Sequence, residues 1–220
     1  LGFEKVQNNS LYAQNSRGKI ESVIVFALSK VMEDLAKISN DLILFSLDEL
    51  AFFQLPDKFT TGSSLLPQKK NPDVLELIRA KASVVESNLF QINSIIKKLP
   101  SGYNRDLQLI KEPLMGSFEV TLSCLNMMGL IINELKVNEE NCIKACTKEI
   151  FAADDVIKLV KSGVPLREAY QKVAKNIEKV KMQDAIKNIQ SKKHIGATGN
   201  LGLNKLKNKI KSANKKIDDG

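Results

Sequence analysis

Three long segments of this 220-residue chain place apolar side chains three and four residues apart, a spacing that only helices turn into one continuous face. In the first, Ile20, Ile24, Ala27, Val31, Leu35, Ile38, Leu42 and Phe45 predict a long amphipathic helix, with Ser16 as its N-cap. The second carries Leu75, Ile78, Ala82, Val85, Leu89, Ile92 and Ile96 and stops before Pro100. Its opening, Asn71-Pro72-Asp73, predicts Asn as N-cap, Pro at the first helical position and an acid facing the positive end of the helix dipole. The third runs from about Glu112 to Leu135, with Pro113 tolerated in its first turn. Leu122, Leu125, Met127, Met128, Leu130, Ile131 and Ile132 make it apolar on more than one side, the pattern of a helix covered all round, often between subunits. Period-two alternation is almost absent, so the expected fold is all-α, a long-helix bundle.

Around these helices the texture divides the chain. Residues 1–18 read as an irregular lead-in, 19–137 as the central bundle, and 138–220 as a smaller C-terminal helical region of short, Lys-rich pieces. Leu55 to Ser64 holds Pro56 and the run Thr60-Thr61-Gly62-Ser63-Ser64, which predicts a loop, and a mobile one. Gly163-Val164-Pro165 breaks the C-terminal region, after which Val173, Ile177 and Val180 resume a helical stripe. Gly196, Gly199 and Gly202 mark a loop before a last helix bearing Leu203, Leu206, Ile210, Ala213 and Ile217 on one face.

Composition narrows the class. With 43% hydrophobic and 26% charged residues the chain has the makings of a packed core. No stretch approaches about 20 uninterrupted apolar residues, so no membrane span is expected, and no signal-peptide pattern opens the chain. It begins Leu1-Gly2-Phe3 without an initiator Met, which suggests a piece of something larger. Only 11 Gly, 6 Pro and 3 Cys exclude collagen-like and disulfide-scaffold folds. Three cysteines cannot all pair, which points to a reducing, cytoplasmic home. The net charge of +8 invites an anionic substrate or nucleic acid, but 5% aromatic content and the lack of a reading-helix motif argue against nucleic acid. Cys142 and Cys146 stand one helical turn apart without the further ligands zinc needs, and read as buried, inert thiols. His194, the one histidine, lies in a Lys-rich segment and reads as a surface residue. Lys205, Lys207, Lys209 and Lys211 read as the solvated face of a domain helix in preference to a membrane-surface helix.

The stretch Thr61-Gly62-Ser63-Ser64-Leu65-Leu66-Pro67-Gln68-Lys69-Lys70-Asn71-Pro72 is the richest in chemistry. A hydroxyl-rich loop runs into a helix N-terminus with two lysines just before the cap. Free backbone N–H groups, the helix dipole and ammonium charge then converge on one place, which suits an anion. From the residues alone, a solvated surface loop with capping chemistry fits equally.

This string resembles the signature segment Gly-Ser-Ser-x-Met-Pro-x-Lys-x-Asn-Pro of the fumarase/aspartase superfamily. The form Pro-Gln-Lys-Lys-Asn-Pro, followed by Asp73, Leu75, Glu76, Leu77, Ile78 and Arg79, resembles the argininosuccinate lyase branch. Leu66 in place of the usual Met is the one departure inside the motif. Ser101-Gly102-Tyr103-Asn104-Arg105-Asp106-Leu107-Gln108, with Lys111 after it, is similar to a second family segment, and Gly163-Val164-Pro165-Leu166-Arg167-Glu168-Ala169 to a third. Asn9-Ser10 and Arg17 match an upstream pattern. Tyr12 and Gly18 stand where the family usually has Asp, Leu109-Ile110 replace an acidic pair, and Tyr170 replaces a common His. Two earlier signature segments, one bearing a Thr-His pair, are absent, so the chain looks like the C-terminal half of such a lyase.

The resemblance implies cleavage of argininosuccinate to arginine and fumarate by β-elimination, a cytoplasmic step of arginine biosynthesis. It implies Ser63 as the base, Lys69 and Asn71 as contacts to a substrate carboxylate, and Tyr103, Gln108 and Lys111 as holders of the amino-acid end. Glu76 would orient the histidine that this chain lacks. No metal or organic cofactor is implied, and neither nucleic acid nor membrane is an expected partner. The resemblance also implies homotetramers with a shared central bundle and active sites built from three subunits. This chain alone is therefore expected to be inactive. Rival readings are another fumarate-releasing lyase of the superfamily and a non-catalytic structural protein of the same fold.

Overall fold

A computed structural model describes residues 5–62, 65–66 and 70–218. Its framework is three long helices, α2 (Lys19–Phe45), α3 (Asp73–Ile96) and α4 (Lys111–Glu134), preceded by a short α1 (Ser10–Asn15). The fold is all-α as expected, and α3 and α4 start and stop within about a residue of where the apolar period and the prolines put them.

The three helices bury one stripe each against the others. From α2 come Val25, Met32, Leu35 and Leu42; from α3, Leu75, Ile78, Val85 and Ile92; from α4, Cys124, Met128 and Ile131. Ser39 and Ser117 also face inward, each with its hydroxyl satisfied along its own helix, whereas the buried Thr121 hydroxyl of α4 has no hydrogen-bond partner among the described residues. Ser39 donates to the Leu35 carbonyl at 2.8 Å. Ser117 donates to the Pro113 carbonyl at 2.6 Å and accepts from the Asn88 amide of α3 at 3.0 Å. Such bonds let α-helices approach closely without orphaned polar groups. Burial pushes the Cys124 thiol above its ordinary pKa, against a smaller lowering by Lys81.

The stripe read from the sequence of α2 is buried only in part, at Leu35 and Leu42. Ile20, Val31 and Ile38 are exposed, while Val25, Met32 and Ser39 are sealed. The helix is apolar on two faces, and only one meets the chain's own neighbours. The same holds for α4, where Met115, Phe118, Leu122, Leu125, Leu130 and Ile132 stay exposed opposite the buried stripe. By length and composition the helix Arg105–Glu134 contains a stretch apolar enough to cross a membrane. Its contacts are those of a core helix, one face of which packs on α2 and α3.

Two expected caps are corrected. Ser16 does not open α2; it closes α1, donating through both its backbone N–H and its hydroxyl to the Tyr12 carbonyl. The helix inside the lead-in also has its own cap, the Asn9 side chain accepting from the Tyr12 N–H at 3.0 Å. α2 instead starts at Gly18, whose φ of 80° and tight approach to Ile96 leave no room for a side chain: a Cβ there would lie 2.3 Å from Ile96 Cγ2. The Gly18 N–H donates to Glu21 at 2.6 Å, holding the first turn. Asn71, expected as the cap of α3, lies one residue further out in a strand, and Pro72 takes the cap position, its carbonyl accepting from the Leu75 and Glu76 N–H groups.

Four two-residue strands occur among the described residues: β1 (Phe53–Gln54), β2 (Thr61–Gly62), β3 (Lys70–Asn71) and β4 (Lys136–Val137). β1 pairs antiparallel with β4, Phe53 opposite Val137. β2 pairs antiparallel with β3, Thr61 opposite Asn71 and Gly62 opposite Lys70.

The contacts divide the chain into two compact units, with the division between Glu139 and Glu140. The second unit contains most of α5 (Glu139–Lys144), then α6 (Ala152–Lys161), α7 (Leu166–Ala174), α8 (Ala185–Ser191) and α9 (Leu203–Asp218). Its core is small: Phe151, Val173 and Val180, with Ala152, Val156, Leu159 and Ala185 against them. The stripe Val173, Ile177, Val180 does not form one helix, because α7 ends at Ala174 and Ile177 sits half-exposed in a separate 3-10 turn. Cys142 and Cys146 are half-buried, not buried, and the Cys146 thiol donates to the Cys142 carbonyl at 3.4 Å.

Candidate active site

The residues singled out from the sequence fall at two places, joined by the length of α3. Ser63 and Lys69 lie outside the described residues. Asn71 is half-buried in β3, and Glu76 is exposed in the first turn of α3. Both belong to the end of the bundle where α3 begins. Tyr103, Gln108 and Lys111 follow the other end of α3. That helix has 24 residues, so at a rise of about 1.5 Å each its ends lie about 36 Å apart. One chain thus brings Asn71 and Glu76 together, and brings Tyr103, Gln108 and Lys111 together, without joining the two groups.

At the first end the backbone is held from both sides. A 3-10 turn (Asp57–Phe59) is anchored in the core by Phe59 and, just before it, Leu55. Lys58 ties it to Glu134 at the end of α4 at 2.6 Å. From this turn Asp57 pairs with Lys70, and across the β2–β3 ladder the Thr61 hydroxyl donates to the Asp73 carboxylate. Beside the ladder opens a cleft of about 930 Å³, lined among others by Thr60, Lys70, Pro72, Asp48, Lys136 and Glu139. The positive end of α3 carries two carboxylates, Asp73 and Glu76, in its first turn. An anion arriving here meets those charges, so its attraction has to come from lysine ammonium groups and from backbone N–H donors.

At the second end a connector is pinned to the start of the chain. The Gly102 N–H donates to the Asn15 side chain at 2.9 Å, and the Arg17 guanidinium sits 5.8 Å from the Tyr103 ring centroid, a cation–π contact. The Asn104 amide donates to the Pro100 and Gly102 carbonyls at 2.8 and 3.2 Å, closing the turn. Then a 3-10 helix (Arg105–Ile110) buries Leu107 and Ile110, leaving Gln108 and Lys111 exposed at the N-terminus of α4. Tyr103 is also exposed. An ammonium, an amide and a phenol suit a carboxylate with a neighbouring amine. Arg17 was visible in the sequence only as part of an upstream pattern, and nothing local marked it as a partner of Tyr103. Asp57 and Thr61 carried no signal beyond their place in a loop. His194 is exposed in the second unit, and no group of three potential metal-ligating side chains occurs among the described residues.

Comparison with known proteins adds relatives. A family model described as "Lyase" matches residues 1–86. The argininosuccinate lyase of Sorangium cellulosum is 44% identical over 210 residues, 96% of this chain and 49% of that protein. That of Phocaeicola vulgatus is 39% identical over 220 residues, 100% of this chain and 48% of that protein. The chain therefore spans about half the length of the curated relatives it matches. Among solved structures, a fumarate lyase:delta crystallin from Brucella melitensis shares the fold with a TM-score of 0.61 at 20% identity, over 77% of this chain and 42% of that one.

Proposed function

We propose that this chain belongs with the lyases of the fumarase/aspartase superfamily and is part of an enzyme that cleaves argininosuccinate to arginine and fumarate. The reaction removes a proton from the carbon beside a carboxylate and expels the guanidinium nitrogen with a proton from an acid. Charge develops on the carboxylate-stabilised carbanion, so preorganised donors and cations around that carboxylate lower the barrier. Ser63 is the base, a role a hydroxyl takes only where neighbouring N–H groups and a cation stabilise its alkoxide. Lys69 and Asn71 hold the substrate carboxylate. Tyr103, Gln108 and Lys111 hold the amino-acid end, and Glu76 orients a histidine supplied from outside this chain.

The observation that carries this reading is the separation of the two residue groups. A substrate of this size cannot bridge about 36 Å along one α3. The site is complete only if the Asn71 end of one subunit meets the Tyr103 end of another. The exposed apolar faces of α2 and α4 supply the surface for that assembly, since apolar patches of this extent mark association sites. A homotetramer with a shared helical bundle satisfies both. Its place is the cytoplasm, where the three cysteines stay reduced.

The test is fumarate absorbance on adding argininosuccinate to the full-length protein, with adenylosuccinate as control. Release from the first alone supports the reading. Release from adenylosuccinate alone assigns a sister lyase, and release from neither assigns a structural role. Ser63→Ala should then nearly abolish turnover with the assembly intact, and wild-type turnover in that variant would remove Ser63 from the mechanism. Lys69→Met should raise KM and lower kcat together, because its charge holds the substrate carboxylate in the ground state and more strongly in the transition state, where negative charge builds on it.

A further inference from the structure

Two adjacent lysines precede α3, and one of them, Lys70, has a partner in the structure. Lys70 is committed to Asp57, whose turn is fastened to the bundle by Phe59, Leu55 and the Lys58–Glu134 pair. Opposite it, Thr61 donates to Asp73 on the first turn of α3, where Leu75 is fully buried. Between these two ties lies a ladder of only two residue pairs, and one of its members is Asn71. So short a ladder holds little by itself, because isolated two-stranded hairpins are marginal even when longer. The side-chain ties hold it from both flanks, one to the 3-10 turn and one to the helix.

We propose that Asp57, Lys70, Thr61 and Asp73 form a clamp that fixes Asn71 against the N-terminus of α3, and that these four are positioning residues for substrate binding. The inference rests on Asn71 being a substrate contact, as proposed above. The Thr61–Asp73 bond turns one acid of the helix end towards the strand and holds it there. The Asp57–Lys70 pair fixes the residue next to Asn71 and keeps that ammonium occupied. The clamp touches no reacting atom. It sets where the Asn71 amide stands when the substrate carboxylate arrives, and misplacement there weakens binding before it slows chemistry.

The experiment uses the full-length enzyme with argininosuccinate and the variants Thr61→Val, Thr61→Ser, Lys70→Met, Asp57→Asn and Asn71→Ala. The double variant Asp57→Lys with Lys70→Asp is added as the charge swap. Exposed charged contacts of this kind translate into roughly two- to fivefold effects. Thr61→Val, Lys70→Met and Asp57→Asn should each raise KM by about that much with kcat little changed. Thr61→Ser and the charge swap should restore KM, which a merely structural loss would not do. Hydrogen exchange over residues 60–72 should speed up in Thr61→Val while the interiors of α2, α3 and α4 keep wild-type protection. A weakened Asn71→Ala beside unaffected clamp variants overturns the clamp and leaves the functional reading standing. An unaffected Asn71→Ala removes Asn71 from binding and the clamp with it. Absence of fumarate release from the wild-type enzyme refutes the functional reading itself.

Discussion

The two units of the chain are built on different physics. The bundle through Glu139 joins one buried apolar stripe from each long helix into a continuous core, and the described candidate site residues, Asn71, Glu76, Tyr103, Gln108 and Lys111, lie at one or other end of α3. The unit from Glu140 onward has a smaller buried cluster, Phe151, Val173 and Val180, and relies on polar ties. There, Asp154 pairs with Lys192 and accepts from the Asn188 amide at 2.6 Å, while Asn188 also donates to Gln183 at 3.1 Å. The difference teaches where precision is needed. Long rigid helices set the spacing of groups that must meet a substrate, and that demands apolar packing along their whole length. A unit without those groups tolerates a smaller core and side-chain ties.

The comparison breaks most readily in the bundle. Met32 has no exposed surface and sits mid-way along α2, so Met32→Ala leaves a cavity that its rigid neighbours cannot fill. Chemical denaturation should show a loss of about 2–5 kcal/mol. A loss no larger than that of a surface substitution would mean the bundle is not the rigid frame described.

Gly18→Ala sharpens the account at a single backbone position. The methyl group would meet Ile96 and the backbone would keep an unfavourable positive φ, so a loss of about 1–3 kcal/mol is expected by the same measurement.

In the second unit, Asp154→Ala removes one tie and leaves the amide and ammonium that it held half-exposed. A loss of about 1 kcal/mol or less is expected, confined in hydrogen exchange to residues after 140. Equal exchange in the bundle would contradict the independence of the two units' cores.

The smallest effect is electrostatic. Asp184 caps α8, and the Lys187 backbone N–H donating to it holds its carboxyl below the usual aspartate range. A depressed folded-state pKa contributes stability above the unfolded pKa of about 3.9 and loses it as pH falls through the lower folded value. Acidification below about pH 4 should therefore loosen the first turn of α8 in amide exchange before it affects α2, α3 or α4. Exchange at α8 that stays unchanged to lower pH would remove the cap from the account.

How much of this was legible in the sequence differs by element. α3 and α4 were readable to within about a residue, because Pro72, Pro100 and Pro113 punctuate them and one apolar period runs through each. The buried face of α2 was not. Its two apolar stripes are equally periodic, and the choice between them depends on what α3 and α4 present. The break between Val173 and Val180 was hidden because three apolar residues at helical spacing survive a 3-10 interruption. The site residues were legible only through the family motif. Periodicity cannot say that Asn71 and Lys111 stand at opposite ends of one helix until that helix has been placed.

That separation is the centre of the account, and one mixing experiment tests it directly. Two full-length variants, Ser63→Ala and Lys111→Met, are each expected to be nearly inactive, since each spoils one half of every site. Dissociated gently, mixed and reassociated, they form hybrid assemblies in which an intact Ser63 end can meet an intact Lys111 end from another subunit. Fumarate release well above that of either variant alone is the predicted result. If the mixture stays as inactive as its components while size-exclusion and mass measurements show that subunits have exchanged, both halves come from one chain, and the account is contradicted.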